Sequence, residues 1–240
     1  MLQAEALTKV YRPGAAPALD RLDLTVPPGE VFCMLGPNGA GKTTTVNLFL
    51  DFIAPSSGRA LVCGIESRRD PLAARRKLAY IPENVMLYGK LTGLENLRYF
   101  TELATGVRPG RDELLGLLAR AGFPADAADR PVAGYSKGMR QKVGIAAALA
   151  KHAEALLLDE PTSGLDPLAA NEFAALIASL RDGGMAVLMV THDLFLAQSC
   201  GDRVGIMRSG RMVRTLETAR TDHLGLERAY LEASRAEEAA

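Results

Sequence analysis

The segment that most constrains the fold is a glycine-rich loop between a short apolar run and a stretch of helical character. Residues 31–35 (VFCML) are wholly apolar, as in a strand buried within a parallel sheet, and the loop GPNGAGKTT follows at 36–44. The loop fits G-x-x-x-x-G-K-[ST] in the strand–loop–helix context that this motif requires. Such a loop turns backbone N–H groups towards phosphate oxygens, and the dipole of the following helix adds positive potential. We therefore predict a phosphate-binding loop, or P-loop, within an α/β sheet.

Individual residues of this loop have separate predicted tasks. The Lys42 ammonium group would reach the β- and γ-phosphates of ATP, and the Thr43 hydroxyl would bind Mg²⁺. The helix behind the loop is predicted over about residues 42–52. A plain glycine-rich turn is the alternative, but the complete motif favours a nucleotide site. The predicted ATP-binding residues of the loop are Gly36, Pro37, Asn38, Gly39, Ala40, Gly41, Lys42, Thr43 and Thr44.

Two more apolar runs end in residues that suit phosphate chemistry. The run ALLLDE ends in Asp159 and Glu160, and the run AVLMVTHD carries His192 after its strand. Because the carboxyl ends of parallel strands meet at one edge of a sheet, Asp159 could hold Mg²⁺ through water. Glu160 could accept a proton from an attacking water. His192 would contact or sense the γ-phosphate, although a lone histidine is more often structural.

The order of predicted elements divides the chain into parts. Residues 1–26 form two predicted strands, residues 92–151 are a series of helices, and strand–helix alternation then resumes. We predict an α/β P-loop NTPase core with a mostly parallel sheet, an N-terminal antiparallel β subdomain and a helical insertion. One domain would span residues 1–216, with residues 92–151 inserted in its core. A short, polar and peripheral C-terminal tail would follow at residues 217–240.

Composition limits the possible partners. The chain has 240 residues, and its 28 basic and 28 acidic side chains give a formal net charge of zero. We therefore expect no nucleic-acid partner, since such proteins usually carry a basic surplus. No apolar stretch approaches the ~20 residues that cross a bilayer, and the N-terminus lacks a signal-peptide core. Any membrane role is expected to come through another protein.

Together these residues resemble the nucleotide-binding subunit of an ATP-binding cassette (ABC) transporter, with the motifs in family order over roughly residues 1–216. Tyr11 matches the aromatic residue that stacks on adenine. Glu83 stands where the family usually has a glutamine that links Mg²⁺ to the membrane subunit. YSKGM at 135–139 matches the signature motif, which the insertion carries, and SGLD at 163–166 matches the D-loop. His192 matches the switch histidine of the family.

The resemblance implies a mechanism that a single chain does not complete. Two cassettes, most simply a homodimer, would pack head to tail with each ATP between one P-loop and the partner's signature motif. The residues acting in trans would be Ser136, Lys137 and Gly138, with Asp166 of the D-loop beside them. Hydrolysis at Glu160 would separate the chains and drive an integral membrane permease, which holds the cassette peripherally on the cytoplasmic face.

Alternatives from other classes stay open at this point. A soluble ABC-type ATPase acting in assembly, translation or repair would share the same motifs. A P-loop kinase is disfavoured by the signature motif and by Glu160. The YSKGM form of the signature resembles cassettes that serve exporters built with separate membrane subunits, so export is the favoured direction.

Two residues depart from the family pattern. Glu83 is an acid where an amide is typical, and its charge should repel the γ-phosphate unless Mg²⁺ is bound, so we expect activity to be more Mg²⁺-dependent. Lys137 and Met139 replace the small and amide residues of the commonest signature. The membrane subunit would contact the insertion near residues 84–96, where Val85 to Tyr88 either form a groove wall or pack the core.

Overall fold

The computed structural model describes residues 1–235, and within them the backbone forms ten β-strands. In chain order the strands are β1 (Leu2–Lys9), β2 (Leu19–Val26), β3 (Val31–Leu35), β4 (Ser57–Val62), β5 (Ile65–Glu66), β6 (Leu78–Ile81), β7 (Ala155–Asp159), β8 (Ala186–Thr191), β9 (Arg203–Arg208) and β10 (Arg211–Glu217). The α-helices of the same region are α1 (Lys42–Phe49), α2 (Pro71–Lys77), α3 (Gly93–Thr105), α4 (Arg111–Arg120), α5 (Lys137–Ala150), α6 (Pro167–Asp182), α7 (Leu194–Cys200) and α8 (His223–Arg235).

The strands build two sheets of different character. The first has the order β2-β1-β4-β5 and is antiparallel throughout, with Leu2 opposite both Val26 and Val62. The second has the order β10-β9-β3-β8-β7-β6, in which only the β9–β10 hairpin is antiparallel. The predicted fold class is thereby confirmed: a mostly parallel α/β core with an antiparallel N-terminal sheet and a helical insertion.

Two apolar layers cover the two faces of the parallel sheet. Side chains alternate along β3, so Val31, Cys33 and Leu35 join a cluster that includes α3 to α7. Phe32 and Met34 face the other way, into a cluster shared with α1 and the antiparallel sheet. Because both faces are covered, β3 is buried along its whole length. The strand that leads into the glycine-rich loop is therefore a rigid support.

The sequence-based boundaries differ from the structure in two places. Helix α1 ends at Phe49, a turn before the predicted end, and Asp51 then adopts a left-handed backbone with φ 53°. The C-terminal segment, predicted to be a polar and peripheral tail, contributes to the core instead. Leu226 and Ala229 of α8 are buried, and α8 packs on α7 and β9. The domain division at residue 216 stays a prediction, and residues 236–240 lie outside the described residues.

Across residues 1–235, no helix combines the length and apolarity needed to span a bilayer.

Candidate functional site

The glycine-rich loop closes around the ammonium group of Lys42. This side chain is buried, and its Nζ donates hydrogen bonds to the carbonyl oxygens of Gly36 and, at 3.2 Å, of Pro37. Burial lowers the pKa of Lys42, while the charges of Glu160 and Asp159 act in the opposite direction. The loop thus holds a desolvated positive charge at its centre, and that charge lies within reach of two carboxylates.

Backbone geometry requires glycine at Gly41, the residue just before α1. Its φ is 108°, a left-handed conformation, and a Cβ atom there would lie 2.7 Å from the carbonyl oxygen of Ala18. Since Gly41 has no side chain, the first turn of α1 receives no side-chain cap. The N–H groups at the start of this helix are left available to an anion.

The first acid lies at the end of β7. Asp159 is half-buried, and the hydroxyl of Tyr80 donates to its Oδ2 at 3.5 Å. Burial raises the pKa of Asp159, with the charge of Glu160 adding to the effect. Tyr80 responds in the same way, because burial and the neighbouring Asp159 raise its pKa to about 12. Asp159 is therefore a carboxylate that a cation or an additional hydrogen-bond donor would stabilise.

The second acid is oriented by the end of β8. Oε2 of Glu160 accepts hydrogen bonds from the Thr191 hydroxyl and from the backbone N–H of His192, both at 3.2 Å. The imidazole Nδ1 of His192 lies 2.8 Å from the same oxygen. Glu160 itself has a left-handed backbone, with φ 46°. Two donors, the Thr191 hydroxyl and the His192 backbone N–H, thus fix one oxygen of Glu160.

A cavity of about 390 Å³ joins these parts. Its lining residues come from the P-loop, from the start of β2 and from the strand ends that carry the acids. They are Ala18, Pro37, Asn38, Gly39, Ala40, Gly41, Lys42, Thr43, Thr44, Glu83, Asp159 and Glu160. Gly36 contributes through its carbonyl to Lys42, and His192 through Glu160. The structure therefore gathers the predicted loop, acid and histidine residues at one edge of the sheet.

The oxygen donors of the cavity suit a hard divalent cation. Thr43 exposes its side chain, and Asp159 and Glu83 line the same cavity. Within residues 1–235 no three acidic, histidine or cysteine side chains cluster closely enough to hold a metal by themselves. This fits Mg²⁺, which is usually held by one or two carboxylates together with substrate phosphates and waters.

Tyr11 lies beside this cavity without lining it. The residue is 57 % exposed, and its hydroxyl is 3.4 Å from the Thr44 hydroxyl. The Lys9 ammonium group lies 5.2 Å from the ring centroid. Tyr11 therefore lies next to Thr44 near the start of α1 and is exposed.

The signature residues lie outside the cavity. Ser136 caps α5 and is exposed, and its hydroxyl accepts a hydrogen bond from the backbone N–H of Met139 at 3.2 Å. Asp166 similarly caps α6, accepting from the N–H of Ala169 at 2.9 Å. Gly138 is buried, and a Cβ there would lie 3.6 Å from Leu165, so the D-loop packs on the start of α5. Within one chain, Ser136 and Asp166 therefore lie outside the P-loop cavity.

Sequence reasoning missed several supporting side chains. Gln141 of α5 is fully buried and donates to the carbonyl of Pro161, which ties α5 to the loop after Glu160. Tyr80 and Thr191 contact the two acids, as described above. The Ser163 hydroxyl donates a hydrogen bond of 3.0 Å to Glu83, a residue far away in the sequence. Ser163 belongs to the SGLD motif, but the motif does not indicate its contact with Glu83. Only the polar residues near strand ends could have indicated Tyr80 and Thr191.

Fold and site together define a P-loop nucleoside-triphosphatase domain. The family model described as ABC transporter matches residues 19–163, more than half of the chain, and the chain belongs to this family. The resemblance inferred from the motifs is thus confirmed. Membership implies ATPase activity and ATP as the bound nucleotide.

Relatives and solved structures agree with this assignment. The chain is 34 % identical over 213 residues to the probable multidrug ABC transporter ATP-binding protein YbhF of Escherichia coli, covering 89 % of this chain but only 36 % of that protein. It is 37 % identical over 213 residues to a fluoroquinolones export ATP-binding protein of Mycobacterium tuberculosis, covering 89 % of this chain and 69 % of that protein. A dimeric ATP-binding cassette in a post-hydrolysis state bound to ADP and Pi superposes with a TM-score of 0.79 at 27 % identity, covering 91 % of this chain and 99 % of that chain.

Proposed function

We propose that this chain binds ATP in the P-loop cavity, hydrolyses it as one half of a dimer, and thereby powers a separate membrane permease. The observation that carries the proposal is the division of the site. The P-loop, Asp159 and Glu160 share one cavity, whereas Ser136 starts an exposed helix outside it. One chain therefore presents a nucleotide site and, on another surface, a second helix start suited to phosphate.

Hydrolysis would depend on the orientation of Glu160. With one carboxylate oxygen fixed by Thr191 and His192, the other is free to accept a proton from a water that attacks the γ-phosphate. Lys42 would exchange its two carbonyl partners for phosphate oxygens and stabilise the charge of the leaving group. Mg²⁺, held by Thr43, Asp159 and Glu83 with the phosphates, would neutralise the same charge.

The signature residues would complete the site from the partner chain. Ser136 and the N–H groups around Gly138 would contact the γ-phosphate held by the partner's P-loop, and Lys137 and Asp166 would lie at the same junction. ATP would hold the dimer together and its hydrolysis would release it. A solved relative with the same fold is a dimer bound to ADP and Pi, which supports this arrangement.

Mixing two inactive variants tests the shared site directly. Lys42→Ala removes the P-loop cation, and Ser136→Arg blocks the signature helix start. A mixed dimer of these two chains contains one site with both defects and one site with neither. Mixing equal amounts should therefore restore ATP hydrolysis to about a quarter of the parent rate, because half of the dimers carry one intact site in two.

The outcome that contradicts the shared site is equally clear. If each chain uses its own signature motif, the mixture stays as inactive as its two components. The control is Lys42→Ala mixed with a chain that carries both substitutions, since this combination contains no intact site. Hydrolysis is measured as phosphate release. The ATP concentration is kept below the dissociation constant of the Lys42→Ala chain for ATP.

A groove on the insertion is the proposed contact for the permease. It has a volume of about 470 Å³, and apolar side chains from β6, the following loop, α3 and α5 line it. Of the four residues predicted there, Val85 and Leu87 are half-buried against the core, whereas Met86 and Tyr88 are exposed. Met86 is 83 % exposed, and Leu103 of α3 adds a second open apolar side chain at 71 %. Such a surface suits the apolar face of a short helix.

Two leucines of equal exposure provide a matched test of this groove. Leu103 lines it, and Leu72 of α2, which is also 71 % exposed, lies elsewhere. Leu103→Asp should abolish co-purification of a polytopic membrane protein from the native membrane, while Leu72→Asp should retain it. Both variants should keep the ATPase activity of the isolated chain. Equal recovery of the membrane protein with both variants would exclude the groove as its contact.

Export is the proposed direction of transport. Over 213 aligned residues, this chain is 34 % identical to a protein named as a probable multidrug ABC transporter ATP-binding protein and 37 % identical to one named as a fluoroquinolones export ATP-binding protein. The chain would then lie on the cytoplasmic face of the membrane, attached through the permease. The alternative, a soluble ATPase without transport, is disfavoured by those names and by the groove.

A further inference from the structure

The two residues that depart from the family pattern contact each other. Nζ of Lys137, the first residue of α5, lies 3.7 Å from Oε1 of Glu83. The same oxygen accepts the hydrogen bond from Ser163 described above, at 3.0 Å. The start of α5 and the loop after β7 thus both contact the Glu83 carboxylate, and Glu83 lines the nucleotide cavity.

Each of these charges is unfavourable without the other. Lys137 places a positive charge at a helix N-terminus, where the helix dipole disfavours cations, and its side chain is only 24 % exposed. Glu83 adds a third negative charge to a cavity that already contains Asp159 and Glu160 and that must accept the phosphates of ATP. The ion pair offsets both costs at once.

We propose that Lys137 is a positioning residue for Glu83: with Ser163 it holds and neutralises that carboxylate, so that the cavity accepts ATP before a cation is bound. This inference rests on the proposed function and goes beyond it, because it gives a residue of the signature motif a second task within its own chain. The pair joins the start of α5 to the cation side of the chain's own nucleotide site.

Nucleotide binding without hydrolysis provides the test. The affinity for ATP in EDTA and the affinity for a non-hydrolysable ATP analogue with Mg²⁺ are measured by calorimetry at a protein concentration where the chain is monomeric. Lys137→Met should weaken ATP binding in EDTA by about threefold to tenfold, because Glu83 is then uncompensated. With Mg²⁺ the loss should be smaller, since the cation replaces the missing positive charge.

Rescue separates this role from a merely structural one. Adding Glu83→Gln to Lys137→Met should return the affinity in EDTA to at least the parent value, because the repelling charge is gone. Lys137→Arg should bind like the parent, because it keeps the ion pair. The matched control is Lys142→Met. Lys142 lies on α5, as Lys137 does, and its ion pair of 2.8 Å with Glu172 of α6 lies away from the cavity, so the affinity should stay unchanged.

The outcomes distinguish this inference from the proposed function. If Lys137→Met binds ATP in EDTA as tightly as the parent, or if Glu83→Gln does not rescue it, Lys137 does not compensate Glu83 and the inference is overturned. The proposed function would survive either result. If the parent chain itself binds no ATP, the proposed function fails first.

Discussion

Two helices of this chain begin with residues suited to phosphate, but their surroundings differ. The start of α1 has no side-chain cap, lies behind a loop that encloses Lys42, and faces two acids across a cavity. The start of α5 is capped by the exposed Ser136. Its first residue, Lys137, forms an ion pair with Glu83 of the same chain. The difference supports the proposed division of labour: the start of α1 belongs to a site that would bind ATP with residues of one chain (the complete site), whereas the start of α5 would act only on the ATP of a partner chain (the half site).

The comparison is most sharply tested at Glu160, the proposed catalytic base of the complete site. Glu160→Gln keeps the hydrogen bonds from Thr191 and His192 possible but removes the basic oxygen. ATP hydrolysis should fall by about a hundredfold or more, while ATP binding and dimerisation persist. Phosphate release measures the first effect, and size-exclusion chromatography with ATP measures the second. A variant with near-parent turnover would show that Glu160 is not the base.

Lys42→Ala should damage the complete site in a different way. It removes a buried cation whose proposed hydrogen bonds to phosphate would be charge-assisted, so the affinity of the monomer for ATP should drop by about tenfold to hundredfold. Calorimetric titration of ATP into the monomer gives the dissociation constant. Unchanged affinity would count against the role of the P-loop. Lys151→Ala is a suitable control, because Lys151 is also partly buried but lies outside this cavity.

Ser136→Ala tests the half site. The ATP affinity of the monomer should stay at the parent value, whereas the dimer formed with ATP and its rate of hydrolysis should decrease by about tenfold. Loss of the helix cap costs about 1 kcal/mol of stability, so Thr92→Ala, which removes a comparable hydroxyl cap from α3, is the matched control. A fall in the monomer's ATP affinity would place Ser136 in the cis site and remove the contrast between the two helices.

The sequence predicts the complete site far better than its surroundings. The wholly apolar runs 31–35 and 186–190 match β3 in full and β8 up to its last residue, Thr191, because burial on both faces leaves no polar position inside these strands. Motifs that follow such runs then converge by sheet geometry alone. Helix α1 is shorter than predicted because Asp51 takes a left-handed conformation that no periodicity shows.

Contacts between distant loops could not be predicted in the same way. Glu83, Lys137 and Ser163 lie on three separate segments, and nothing in their local patterns indicates that they meet. Helix α8 escaped prediction for another reason: its polar composition obscured the helical spacing of Leu226 and Ala229, which anchor it in the core. Such features depend on tertiary packing, which overrides local composition.

Tyr11 should give the smallest effect and completes the description of the site around α1. Its ring is exposed beside Thr44, so stacking on adenine would occur at the rim of the cavity, in contact with solvent. Tyr11→Ala should therefore weaken ATP binding by only about threefold to tenfold, near the low end of what stacking contributes. Tyr11→Phe keeps the ring and loses only a 3.4 Å contact between hydroxyls, so its affinity should equal that of the parent. If the alanine variant binds ATP as tightly as the parent does, the ring does not stack on the base. If both variants lose affinity equally, ATP binding depends on the hydroxyl contact with Thr44 and not on the ring face.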